Sequence, residues 1–139
     1  MRFLLAVMAV DGEADATPDE ITEINAFNER LNANGQALLA LGLAGPRDAH
    51  VVDNRLDAGV ITDGPAVTAE EYMAGIWLIE AADMNEALQI ATTASKACNR
   101  RIEIRAVLEA PPQPAKKTSA AEFGRPARVD TAGRYPIDG

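Results

Sequence analysis

The chain reads as β-α-β, then a short hairpin, then β-α-β, which predicts an α+β fold with two helices on one face of an antiparallel sheet. Three observations carry this reading. Apolar runs of strand length alternate with two segments that open on strong helix caps. A turn-flanked pair of short β-rich runs sits between the second strand and the next long one. The strands at 2–10 and 73–79 are apolar on both sides, whereas two helices can cover only one. Split βαβ units in this βαβ(ββ)βαβ order give a ferredoxin-like sheet. A second subunit, sheet against sheet, is the simplest cover for the bare face, and the chain's own tail is the competitor.

Each element has a local cause. Residues 2–10 form a near-continuous apolar run that ends in acidic residues, which reads as a covered strand rather than a secretion signal. Thr17-Pro18-Asp19-Glu20 starts a helix: Thr17 caps, Pro18 suits the first helical position, and Glu20 completes a capping box. Ile24, Phe27 and Leu31 then share one side, and Gly35 stops the helix. Residues 37–43 form the second strand. Residues 49–55 and 59–62 form a hairpin around Leu56-Asp57-Ala58. Thr68-Ala69-Glu70-Glu71 begins a helical turn, and 73–79, with Trp77, is a strand. Asp83-Met84-Asn85-Glu86 opens a second helix, with Ala87, Leu88, Ala91 and Cys98 on one face. Residues 102–107 close the domain. There Ile102, Ile104 and Ala106 point one way, and Glu103 and Arg105 the other.

Composition divides the 139 residues in two. Residues 110–139 hold five of the eight prolines and five basic residues against three acids. Residues 1–109 hold eight basic residues against eighteen acids. The expectation is an acidic domain over 1–109 and a Pro-rich basic arm over 110–139, docked on its own or a partner subunit.

The net charge of −8 argues against a nucleic-acid or membrane-surface partner. No apolar run approaches the length of a membrane helix. A single cysteine, Cys98, and a single histidine, His50, leave no intrachain disulfide, no cysteine-based zinc site and no multi-histidine metal centre. The expected protein is cytoplasmic and free of metal and cofactor. Sequence signatures of serine hydrolases, nucleotide-binding loops and zinc proteases are absent.

Ile61-Thr62-Asp63-Gly64-Pro65 is the most chemical segment. Asp-Gly makes a turn, the first reading of this segment; the functional reading makes Asp63 a carboxylate at the mouth of the sheet, poised for proton transfer. A loop centred on Asp57 or Ala58 sets Asp53 nearly opposite Asp63, with His50 just beyond. Two adjoining carboxylates raise one pKa, and an imidazole relieves the repulsion or shuttles the proton. Asp63 and His50 are therefore the candidate catalytic residues. Arg105, on the non-helix face, is the candidate anion holder. Trp77 and Asp53 complete the substrate-binding set.

These residues resemble a known family. Val60-Ile61-Thr62-Asp63-Gly64-Pro65, then Glu71, Gly75-Ile76-Trp77-Leu78-Ile79, Asp83 with Glu86-Ala87-Leu88, and Ile102-Glu103-Ile104-Arg105-Ala106-Val107 are similar to the YCII-related superfamily, and within it to the DGPF branch. The likeness spans about 2–108. Ala66, Thr68, Glu70, Ala74 and Ala106 depart from the branch pattern, which marks a divergent member. The resemblance implies a ferredoxin-like fold that dimerises into an α+β barrel. Some YCII-like proteins use a His–Asp pair. The aspartate maps onto Asp63, but Ile24 stands where the helix histidine belongs, so His50 would have to substitute. DGPF-type proteins mostly lack an assigned reaction, and some occur beside sigma-factor-like regulators. Two functions follow: cofactor-free acid–base chemistry, such as isomerisation or elimination, on a polar or anionic compound, or a non-catalytic ligand-binding or regulatory dimerisation module.

Overall fold

A computed structural model describes residues 1–109, and the expected arm at 110–139 lies outside the described residues. Residues 1–107 form one compact unit. The element order is β1 (Arg2–Val10), α1 (Pro18–Ala33), β2 (Ala37–Gly42), β3 (His50–Asp53), β4 (Val60–Asp63), β5 (Glu71–Glu80), α2 (Met84–Cys98) and β6 (Arg101–Ala106). The expected order holds. β2-β5-β1-β6 form a four-stranded sheet with every neighbouring pair antiparallel, and β3–β4 form a separate two-stranded sheet.

Both helices start where the caps predict. Thr17 Oγ1 accepts from the Glu20 amide at 3.2 Å, and Asp83 Oδ1 accepts from the Glu86 amide at 2.9 Å. The helices lie on the same face of the sheet. Phe3, Leu5 and Ile79 are fully buried there with Phe27, Leu31 and Trp77. Burying each large side chain stabilises the fold by about 1.5–3 kcal/mol. α2 presents mostly alanines, Ala87, Ala91, Ala94 and Ala97, so it seats close to the strands. Leu88, expected on that face, is half exposed instead.

Among the described residues the opposite face carries no helix. Register places Leu4 and Ala6 of β1 beside Leu78 and Ile76 of β5, which in turn stand beside Leu39 and Leu41 of β2. Leu39 and Leu41 are substantially exposed. On the other side of β1, Leu4, Ala6 and Met8 face Arg105, Glu103 and Arg101. The helix-free face is therefore an apolar stripe with a charged margin on β6, as the alternation of β6 predicts.

Two local expectations are corrected. Residues 68–71 do not turn into a helix: Glu71 pairs with Val10 and begins β5. The hairpin register also differs. Asp53 pairs with Val60, and His50 pairs with Asp63. The loop spans six residues, with Leu56 at φ 53°, Asp57 at φ 58° and Gly59 at φ 64°. Gly59 belongs to the turn and not to the strand, and this moves the partners by one to three positions.

Candidate functional site

The hairpin is fixed at its root. The Gly64 amide donates to the Ala49 carbonyl at 2.7 Å, and Gly64 sits at φ 98°, a conformation that favours glycine after Asp63. Directly beside this closure, His50 Nδ1 donates to Asp63 Oδ1 at 3.0 Å. An ionised carboxylate can only accept, so Nδ1 is the donor and Nε2 is left outside this bond. The side chains of His50 and Asp63 are 64% and 94% exposed. The strand adjacency expected for Asp53 thus belongs to His50. The Asp53 carboxylate instead takes two bonds from the Arg55 guanidinium, at 3.0 and 2.8 Å, and one from the Arg55 amide. These bonds, the side-chain ones foremost, hold the Asp53 carboxyl below its ordinary range.

A groove, made of a row of cavities with shared border residues, begins at segments 48–49 and 65–66, which flank His50 and Asp63 in sequence, although neither of those two side chains lines it. Its first cavity, about 300 Å³, is bordered by Asp48, Ala49, Pro65, Ala66, Tyr72 and Met73. A second, about 420 Å³, shares Tyr72, Leu43 and Gly45 with it and adds Glu13, Arg100 and Cys98. A third, about 320 Å³, shares Ile24, Val7 and Cys98 with the second and ends at Asn28 and Trp77. Trp77 is core-facing: its Nε1 donates to Asn28 Oδ1 at 2.8 Å, and its ring meets Phe27 edge-on, with centroids 5.2 Å apart. Its edge still reaches the groove's far end. Ile24, at the position where the resemblance expects a histidine, lines the middle of the groove.

Arg105 lies elsewhere. It stands opposite Leu4 on the helix-free face, whereas the hairpin returns to the sheet at Glu71, opposite Val10. Six residues of β1 separate these levels, about 20 Å at roughly 3.3 Å per residue. One chain therefore does not bring Arg105 to the His50–Asp63 pair.

The arginine inside the groove is Arg100, which the sequence reading passed over. Its Nη1 lies 3.3 Å from Glu13 Oε1 and 3.8 Å from Glu20 Oε2, and its Nη2 donates to the Ala14 carbonyl at 3.2 Å. These contacts tie the loop after β1 to the end of α2. Asn99, left-handed at φ 52°, caps α2 and turns the chain toward this position. An asparagine closing a helix was the available signal. Cys98 is a free, buried thiol, and burial pushes its pKa up, which suits packing and not nucleophilic attack. Among the described residues no three His, Cys, Asp or Glu side chains gather as a metal set, and no helix is long and apolar enough to cross a membrane.

An antiparallel sheet backed by two helices, with a groove running from a hairpin root to the space beneath α1, defines a ferredoxin-like α+β protein. The YCII-related domain profile matches residues 1–111, and the chain belongs to that family. No curated protein matches the sequence significantly.

Proposed function

We propose that this YCII-related protein holds a small polar organic molecule at the hairpin root and moves a proton with His50, without a cofactor. The observation that carries the reading is the 3.0 Å His50–Asp63 bond, set between the Asp48–Ala49 and Pro65–Ala66 segments that border the first cavity. Asp63 orients the ring through Nδ1, and Nε2 takes or returns the proton. Asp63 is then the positioning partner and His50 the acid–base group, the reverse of the emphasis that spacing suggests. The protein works as a homodimer whose helix-free faces meet. Leu39, Leu41, Ile76 and Leu78 support that arrangement, since a stripe of this kind marks an association surface. The Asp63-Gly64-Pro65 turn supports the DGPF branch, and the free thiol of Cys98 supports a cytoplasmic site of action.

The openness of the pair favours a second reading, a ligand-binding or regulatory dimerisation module without turnover. One experiment separates them. Small oxo acids are incubated in D₂O with the protein, while carbon-bound hydrogen and the His50 ring are followed by NMR. Proton transfer washes deuterium into the carbon next to the carbonyl, and His50→Gln lowers the rate by about 10²–10⁴. Shifts of the His50 ring without deuterium incorporation establish the binding module. Neither signal across the panel removes the hairpin root as a site for such compounds.

A further inference from the structure

The hairpin is poorly supported by its own chain. A two-stranded ribbon is marginal in water by itself. This one nevertheless exposes Val52 and Ile61, the latter at 71%, and carries Leu56 fully exposed at its tip in a left-handed conformation. The segment 46–63 is net acidic, with Asp48, Asp53, Asp57 and Asp63 against Arg47 and the Asp53-bound Arg55. At the far end of the helix-free face the balance is basic: Arg2 and Arg105 share it with Glu103, and Glu80, opposite Arg2, is taken by the Met1 amine at 2.8 Å. Arg105 stands opposite Leu4, and Arg2, two residues from Leu4 on β1, shares its face. Neither makes an ion pair among the described residues, whereas Arg101 on the same row is engaged by Glu71 at 3.2 Å. Among the described residues no Lys or Arg side chain bonds the His50–Asp63 pair, and the Arg105 level lies six β1 residues, roughly 20 Å, from the level at which the chain leaving the hairpin rejoins the sheet.

We propose that the site is completed in trans. The acidic hairpin of one copy docks on the Arg2–Arg105 corner of a second copy's helix-free face, and the partner's Arg105 enters the His50–Asp63 site. Two-fold symmetry makes this contact twice per dimer. The exposed Val52 and Ile61 of the hairpin add apolar surface to that contact. In this arrangement the partner's Arg105 supplies the positive charge that holds a substrate anion over the imidazole. The inference rests on the dimer proposed above, and it adds which element of one copy meets which corner of the other.

Cross-linking tests it on the full chain. Two tagged proteins in a Cys98→Ser background carry Asp63→Cys and Arg105→Cys respectively, and they are mixed and treated with a short bismaleimide. The expected product is a mixed cross-linked dimer, at least about tenfold above the yield of either protein alone. A parallel charge swap keeps the test independent of cysteine chemistry. Arg105→Glu weakens the dimer about tenfold, and mixing that chain with Asp63→Arg restores it. Dimers of unchanged mass that give neither the mixed product nor the rescue overturn this inference and leave the dimer standing. A wild-type protein that stays a single subunit overturns both.

Discussion

The helix-covered face of the sheet and the β3–β4 hairpin are built on opposite principles. On the covered face Phe3, Leu5 and Ile79 are fully buried beneath two capped helices, and their partners are apolar. On the hairpin the large apolar side chains point into solvent, two non-glycine residues of the loop are left-handed, and the polar contacts are local: His50 with Asp63, Asp53 with Arg55. The first region explains why the chain folds. The second contributes little to folding, so its sequence is free to serve another purpose. Exposed β-branched residues beside an oriented imidazole point to recognition.

Substitutions break or sharpen this contrast in order of size. Phe3→Ala opens a cavity in the covered face and costs about 3–5 kcal/mol in urea unfolding. Gly75→Ala comes next. A Cβ there meets the Leu41 carbonyl oxygen at 2.9 Å, so β2 must shift, for about 1–3 kcal/mol in the same measurement. Asp83→Ala removes the α2 cap and costs about 1 kcal/mol. Leu56→Asn on the hairpin changes monomer unfolding by no more than about 0.5 kcal/mol, because the side chain touches nothing and asparagine tolerates its backbone. A hairpin change as costly as Phe3→Ala would dissolve the contrast.

The smallest effect is a pH one. Arg55 depresses the Asp53 carboxyl in the folded protein, so the pair's contribution is present above the unfolded carboxyl pKa of about 3.9 and is lost as pH falls through the lower folded midpoint. Carboxyl NMR titration should show Asp53 below the ordinary range, and Arg55→Gln, which keeps the backbone amide bond, should move it most of the way back.

The covered face was legible because its determinants are local. Thr17 and Asp83 announce the helices, and unbroken apolar runs announce β1 and β5. The charged row on β6 follows from simple alternation. The hairpin was legible only in outline. Its loop takes positive φ at Leu56 and Asp57, where no glycine signals it, and Gly59, read as a strand residue, closes the turn. That difference moved His50 opposite Asp63 and Asp53 onto Arg55. Residues 68–71 carry helix-start chemistry, yet pairing of Glu71 with Val10 prevails over it. Arg105 was placed on the right face but far from its intended companions. Arg100 was missed because its importance comes from Glu13 and Ala14, which are distant in sequence.

The account depends on the helix-free face being closed by another copy of the chain. Light scattering on the purified full chain, over a range of concentrations, measures this directly. The account predicts twice the 14.7 kDa chain mass, falling toward the single-chain value when Leu78→Glu places a charge in the stripe. A wild-type mass of one chain at every concentration would contradict it.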